Sequence, residues 1–185
     1  MRILGIDPGT NILGFGVIRK EGNNYIAVDH GILRLNKMET YEKLSEIFTG
    51  VQALIEKHNI KEVSIEAPFF GDNAQSMLKL GRAQGVAIAA AATLNIPVTE
   101  YAPTKIKMAV TGKGYSTKEQ VSQMVVRLLN LKNKPVTHDA SDALAIALTH
   151  ALQGNASVET KMPSKKKAKG NWDSFLRENP NRILK

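Results

Sequence analysis

The sequence contains no cysteine, which excludes disulfides and thiolate metal centres and agrees with a reducing compartment. The first residues show no positive region followed by a signal-length apolar stretch: Ile3-Leu4-Gly5-Ile6 is interrupted by Asp7. The apolar run from Val86 to Ala92 is too short for a bilayer, which needs about 20 such residues. No internal repeat is present, and Gly112-Lys113-Gly114 lacks the frame of a phosphate-cradling P-loop. These absences predict a soluble, cytoplasmic protein with no membrane partner. A chain of 185 residues suits one domain with a proper core.

What the chain does have is an excess of positive charge, distributed unevenly. Of the net +8, residues 153–185 hold +5, with eight Lys or Arg against Glu159, Asp173 and Glu178, and residues 1–152 hold only +3. Such a balance fits a polyanionic partner, and equally fits plain solubility. Pro163-Ser164-Lys165-Lys166-Lys167-Ala168-Lys169-Gly170 has no apolar periodicity, so a single domain over 1–152 is expected to be followed by a basic, disordered tail over 153–185.

Three segments, residues 1 to 7, Gly14 to Arg19 and Tyr25 to Leu33, read as an antiparallel meander. From Glu39 to His58 the apolar positions Leu44, Ile47, Phe48, Val51, Leu54 and Ile55 fall at helical spacing. Strands follow at Glu62 to Glu66 and Pro97 to Tyr101. Helices are expected over Asn73 to Leu94, Pro103 to Val110, Lys118 to Leu129 and His138 to Leu152. The order predicts an α/β fold, a mixed five-stranded sheet with helices on both faces.

Four carboxylates stand at the ends of these elements. Asp7 closes the first strand at the turn Pro8-Gly9-Thr10, and Glu66 closes Val63-Ser64-Ile65. Asp139 and Asp142, at i and i+3, share one face of the last helix. Taken singly, Asp7 reads as a turn acid and Asp139 as an acid favoured by a helix N-terminus. Taken together, they offer the hard oxygen ligands that two Mg²⁺ ions, about 4 Å apart, require for phosphodiester hydrolysis. Asp7 is the natural bridging ligand, because the first strand of such a sheet lies centrally. His138 sits either in solvent or on the same helix edge as Asp142, where it would move protons.

Lys107 and Lys118 flank the segment Thr111-Gly112-Lys113-Gly114-Tyr115. Ser116 with Glu119, or Thr117 with Gln120, forms a capping box that aims Lys118, while Lys105 and Lys113 supply general attraction for phosphate. Solvated surface is the alternative for each lysine. Phe69 and Phe70 lie between Pro68 and Gly71, so at least one is exposed, either stacking on bases or packing at a helix start. Gly81, Gly85 and Ala89 recur every four residues, a stripe suited to close approach by another helix or by the protein's own sheet.

Gly5-Ile6-Asp7-Pro8-Gly9-Thr10, Ile65-Glu66, Leu78-Lys79-Leu80-Gly81-Arg82-Ala83-Gln84-Gly85 and Asp139-Ala140-Ser141-Asp142-Ala143-Leu144-Ala145 together resemble the RuvC family of bacterial Holliday-junction resolvases, over residues 1 to about 152. The resemblance implies a ribonuclease-H-like fold and a homodimer that cuts four-way junction DNA by paired symmetric nicks in recombination and repair. It implies two Mg²⁺ per subunit, for which Mn²⁺ can substitute, held by Asp7, Glu66, Asp139 and Asp142. It also implies Lys107 and Lys118 against the cleaved backbone, Phe69 at the junction centre, and a dimer contact through the helix of Gly81, Gly85 and Ala89. The RuvA-RuvB branch-migration complex is the implied protein partner. Some members carry a histidine within the last motif; with both acids present here, His138 need not be a ligand.

Three other readings remain open to the sequence. The same fold could act on another structured nucleic acid, such as an RNA-DNA hybrid, or bind junctions without cutting them. Asp7-x-Gly9-Thr10 also resembles the first phosphate loop of actin-like ATPases and sugar kinases, although that architecture needs two such domains and far more chain.

Overall fold

The computed structural model describes residues 1–68, 73–132, 135 and 137–154. In chain order the elements are β1 (Arg2–Asp7), β2 (Ile12–Glu21), β3 (Asn24–Arg34), α1 (Thr40–His58), β4 (Glu62–Glu66), α2 (Ala74–Thr93), β5 (Val98–Tyr101), α3 (Pro103–Thr111), α4 (Lys118–Leu128) and α5 (His138–Gly154). The five strands form one sheet in the order β3-β2-β1-β4-β5. β1, β2 and β3 are antiparallel neighbours, whereas β4 runs parallel to β1, and β5 parallel to β4. None of the described helices is long and apolar enough to cross a membrane.

Helices cover both faces, as the element order predicts, and each face has its own core. Leu4, Ile6, Leu13, Val17, Val63 and Ile65 pack beneath α1 and α2. Ile3, Ile18 and Tyr25 pack beneath α3, α4 and α5, where Leu144, Ile146 and Leu148 form the buried spine of α5. α1 buries Ile47, Val51, Leu54 and Ile55, the face its 3.6-residue spacing requires.

Two sets of boundaries differ from the sequence reading. β2 and β3 are longer than their apolar alternation indicates, because pairing continues from Ile12↔Arg34 to Glu21↔Asn24 through exposed polar positions. Backbone groups satisfy one another in that ladder whatever their side chains. α5 extends to Gly154, two residues past the expected domain limit of 152. The remainder of the basic tail, 155–185, lies outside the described residues.

α5 lies unusually close to the sheet because glycines line its seat. A Cβ on Gly5 would overlap the Ala143 carbonyl and approach the Ala147 nitrogen to 2.6 Å; one on Gly14 would overlap the Asp139 carbonyl. Gly16 repeats this against the Leu144 nitrogen at 2.7 Å. Backbone atoms cannot swing aside as a flexible side chain can, so even one methyl group forces the helix outward. Gly5→Ala should therefore destabilise the fold by about 1–3 kcal/mol, lowering the melting temperature by roughly 2–4 °C per kcal/mol. Gly85→Ala, on α2, adds its methyl where no other part of its own described chain lies within 4 Å, so within the subunit it should be neutral or stabilising by about 0.5–1 kcal/mol. Thermal melts of the two variants check the contrast.

Candidate active site

Strand alternation decides which acids meet. Leu4 and Ile6 face α1 and α2, so Ile3, Gly5 and Asp7 face α5. In β4, Val63 and Ile65 likewise face α1 and α2, which turns Glu62, Ser64 and Glu66 toward α5. The bond between Glu62 and His150 of α5, 2.8 Å, fits this placement. Parallel pairing sets Ile6 opposite Ile65, and the next step brings Asp7 beside Glu66 at the C-terminal edge of the sheet. α5 runs back across this face from that edge: its Asp139 rests on Gly14, the register partner of Asp7, and its Ala147 rests on Gly5.

The four predicted acids therefore converge. Asp7, Glu66 and Asp142 line a cleft of about 250 Å³ together with Lys107 and Lys118. Asp139 stands beside it, close enough to act on Asp7 electrostatically. Burial pushes the Asp7 carboxyl up to about 8, and the charges of Glu66, Asp142 and Asp139 add to the effect while Lys118 opposes it. Glu66 is also raised, first by burial and then by Asp142, against the lowering effects of Lys118, a hydrogen bond with Asp7, and Lys107. Carboxylates packed this tightly without enough positive charge form a site that favours a cation.

Hard oxygen donors in this number suit Mg²⁺ or Mn²⁺, so the donor set fits the implied ions. Among the described residues, however, no three such side chains meet at one point as they stand. Asp142 instead turns its Oδ2 to the ammonium of Lys118, at 3.0 Å, and this bond raises the Lys118 pKa. The lysine thus supplies part of the positive charge that the cluster needs.

The local sequence explains how Lys118 arrives there. Thr117 and Gln120 form the capping box of α4, Thr117 N–H donating to Gln120 at 3.0 Å and Gln120 N–H to Thr117 at 3.3 Å. Ser116, the alternative cap, is committed elsewhere: its buried hydroxyl meets Thr111 Oγ1 at 2.7 Å and donates to the Lys113 carbonyl at 3.0 Å. α4 is tied to α5 by the buried pair Ser141–Ser122, 3.0 Å.

The other predicted residues divide. Lys105 lies over the Tyr101 ring at 5.5 Å, and Lys113 lines a separate surface hollow with Gln120 and Arg127; neither lines the acid cleft. His138 is exposed as the first residue of α5. Phe69 and Phe70 lie outside the described residues. Gly81, Gly85 and Ala89 face away from the sheet, since α2 buries Ala83, Gln84, Ala87, Ala90 and Ala91 instead. Nothing lies within 4 Å of a Cβ built on Gly81 or Gly85, so packing onto the protein's own sheet is not what the stripe is for.

Gln84 is a residue that the motif contains but sequence reasoning gave no role. It is buried on α2, and its amide donates to the Glu66 carbonyl at 3.4 Å and to Glu100 at 2.6 Å. That holds the end of β4 in place. Its signal was available: a polar residue on the apolar face of a helix needs a partner.

Comparison with known proteins agrees with this geometry. The family model for crossover junction endodeoxyribonuclease RuvC matches residues 3–150. The chain belongs to the RuvC family. Relatives in that family include the enzymes of Bacteroides fragilis, 49% identical over 98% of this chain and 95% of its own, and Cytophaga hutchinsonii, 47% identical over 98% and 87%. The solved Thermus thermophilus RuvC superposes with a TM-score of 0.78 at 32% identity, over 84% of this chain and 96% of that one. The same protein in complex with Holliday junction substrate gives 0.77 at 31% identity, over 85% and 97%. The RuvC likeness establishes the ribonuclease-H-like fold that the sequence motifs imply.

The raised Asp7 pKa has a measurable consequence for stability. The folded protein holds the Asp7 proton more tightly than the unfolded chain, whose value is 3.8. Between about pH 4 and pH 8 the native state therefore binds more protons, and stability falls as pH rises through that window. In EDTA, Asp7→Asn should melt close to wild type near pH 4 and several degrees above it near pH 8.5. Mg²⁺ should narrow the gap at the higher pH by stabilising wild type alone. Parallel melting curves for the two proteins across pH would reveal the wrong assignment.

Proposed function

We propose that this protein is a Mg²⁺-dependent endonuclease that resolves four-way DNA junctions by nicking two opposed strands. The observation that carries the reading is Asp7, buried among Glu66, Asp139 and Asp142 with its carboxyl pushed up to about 8, at a sheet edge where Lys107 and Lys118 share the cleft. Membership of the RuvC family and likeness to a relative solved with Holliday junction substrate support the choice of DNA.

Asp7, Glu66, Asp139 and Asp142 would hold two divalent ions, which supply Lewis acidity to the scissile phosphate and to the attacking water when bound. Asp7, central among the acids, would be shared between them. Lys118 would exchange its bond with Asp142 for one with a phosphate oxygen, and Lys107 would hold the strand from the α3 side, so that both would meet the charge that develops on the phosphate. The net +5 of residues 153–185 adds sequence-independent attraction for the backbone.

Two opposed cuts need two sites. The bare stripe of Gly81, Gly85 and Ala89 on α2 is where a second copy would dock, since helices approach closely only across small residues, and Leu78 beside it is 64% exposed. A two-fold dimer through this face would give each crossing strand its own acid cluster.

Asp7→Asn should leave junction affinity within about threefold of wild type and reduce cleavage by about a thousandfold, roughly 4 kcal/mol of barrier. Mapping cuts on a synthetic four-way junction with Mg²⁺ measures both the activity and its symmetry; near-normal cleavage by the variant would remove the acid cluster from the mechanism. Gly85→Leu should shift the protein toward monomer with its acid cluster intact. On a supercoiled cruciform plasmid, nicked circles should then accumulate ahead of linear product. Sedimentation that still reports a dimer would clear this helix face of the role.

A further inference from the structure

A second cleft, about 220 Å³, opens at the same edge of the sheet but on the α1 and α2 face. We propose that it is a phosphate-binding subsite that grips a non-scissile backbone phosphate of the DNA strand being cut. This rests on the nuclease reading above and adds to it a second point of attachment.

Three cations line the cleft: Lys43 of α1, and Lys79 and Arg82 of α2. Lys79 and Arg82 stand at i and i+3, on neighbouring positions of one helix face, both exposed. Neither enters an ion pair among the described residues. Lys43 is held in place by two hydrogen bonds, to the Thr10 carbonyl at 3.1 Å and to Asn11 Oδ1 at 3.0 Å. An ammonium has three donors, so one remains for an anion. Buried Ile47 and Ala83 close the floor, and a strand of DNA would further exclude water from the cations, strengthening their hold.

One carboxylate, Glu39, also lines the cleft. It is engaged at the start of α1, where it forms a reciprocal capping box with Glu42, the Glu39 N–H donating to Glu42 Oε2 at 2.9 Å. The capping box thus engages both Glu39 and Glu42 within the helix start, and the attraction ascribed to the cleft comes from the three side chains. With Glu39 counted, the lining remains net positive.

Position identifies which phosphate. Thr10 and Asn11 follow Asp7 on the loop that leaves β1, so the Thr10 side of the cleft lies at most about 11 Å of chain from Asp7, the axial rise of roughly three nucleotides of one strand. On the α2 side, Ala83 of the cleft adjoins Gln84, which bonds the Glu66 carbonyl. A strand whose scissile phosphate lies among the acids on one face can thus cross the Asp7–Thr10 loop and place a neighbouring phosphate in the cleft on the other. The acid cluster repels DNA until it is neutralised. A cationic grip within a few nucleotides holds the strand there and fixes its register.

The test is binding of the full-length protein to a synthetic four-way junction, without divalent metal, across a salt series. Lys79→Ala/Arg82→Ala should lose about tenfold or more in affinity, with a salt slope shallower by about 2. The control Lys57→Ala/Lys61→Ala removes the same formal charge beyond the other sheet edge and should lose less than about twofold. The exchange Lys79→Arg/Arg82→Lys should keep most of the affinity. Junctions carrying one neutral methylphosphonate at successive positions around the cut should show one position that weakens wild type and has no further effect in the alanine pair.

Equal affinity of the alanine pair and the control overturns the proposal, as does a loss that every methylphosphonate position deepens alike. A cleft serving free phosphate would show pyrophosphate raising the melting temperature of wild type and not of the alanine pair, with junction affinity unchanged, and that too overturns it. A wild type that binds duplex as well as junction, but loses both in the alanine pair, would instead refute the junction reading and keep the subsite.

Discussion

How close α5 can come to the sheet is the constraint from which the site follows. Side chains on both partners would hold a helix and a sheet apart at ordinary packing distance; at Gly5, Gly14 and Gly16 the sheet presents backbone, and the helix backbone rests on it. Only at that distance do Asp139 and Asp142 reach the carboxylates carried by β1 and β4. The effect passes outward from there. α5 holds α4 through Ser141–Ser122, and α4 begins at the capped Thr117 that delivers Lys118 to Asp142. A small contact surface inside the core thus sets the position of a cation at the rim.

The same closeness carries an electrostatic penalty. Carboxylates held together in a half-buried cleft destabilise the ionised fold, and Asp7 shows the effect most clearly. The two apolar cores on either side of the sheet offset it, and Lys118 offsets part of it locally. A cluster that would be a defect in an inert domain would, on the proposed reading, be the source of affinity for cations. Strain of this kind at a functional site is what a locally consistent sequence is expected to tolerate in only a few places.

Most of this fold was legible because its elements are strongly patterned. The spacing of Ile47, Val51, Leu54 and Ile55 gives α1, and the apolar run Ile3-Leu4-Gly5-Ile6, stopped by Asp7 and the turn Pro8-Gly9-Thr10, gives β1. Alternation also predicts that Asp7 and Glu66 share a face, once their strands are paired in register. Less legible were features that exist only in three dimensions. A glycine under a helix looks in sequence like a glycine in a turn, so the seat of α5 was invisible. Whether Ser116 or Thr117 caps α4 depends on Thr111 and Lys113, which claim the Ser116 hydroxyl. Lys43, Lys79 and Arg82 lie on two helices far apart in sequence, and nothing in their spacing shows that they border one cleft.

The sheet edge also resolves an apparent conflict of charge. Residues 1–152 carry only +3, modest for a domain proposed to hold a polyanion, and four of their acids stand where, on that proposal, the DNA would be cut. Net charge is the wrong measure at this range, because screening limits an exposed charge to within about 10 Å. What matters is the sign nearest each phosphate. Along this edge the balance of sign differs between the faces, four acids against Lys107 and Lys118 on the α5 face and Lys43, Lys79 and Arg82 against Glu39 on the α1 and α2 face, with the Asp7–Thr10 loop between them. On the proposed reading, a strand draped over that loop would meet attraction beside the site and repulsion within it. Cation binding to the acids would reverse only the second. Attachment and cutting would then be governed by different groups, and a bound metal would control the chemistry without also having to supply the grip.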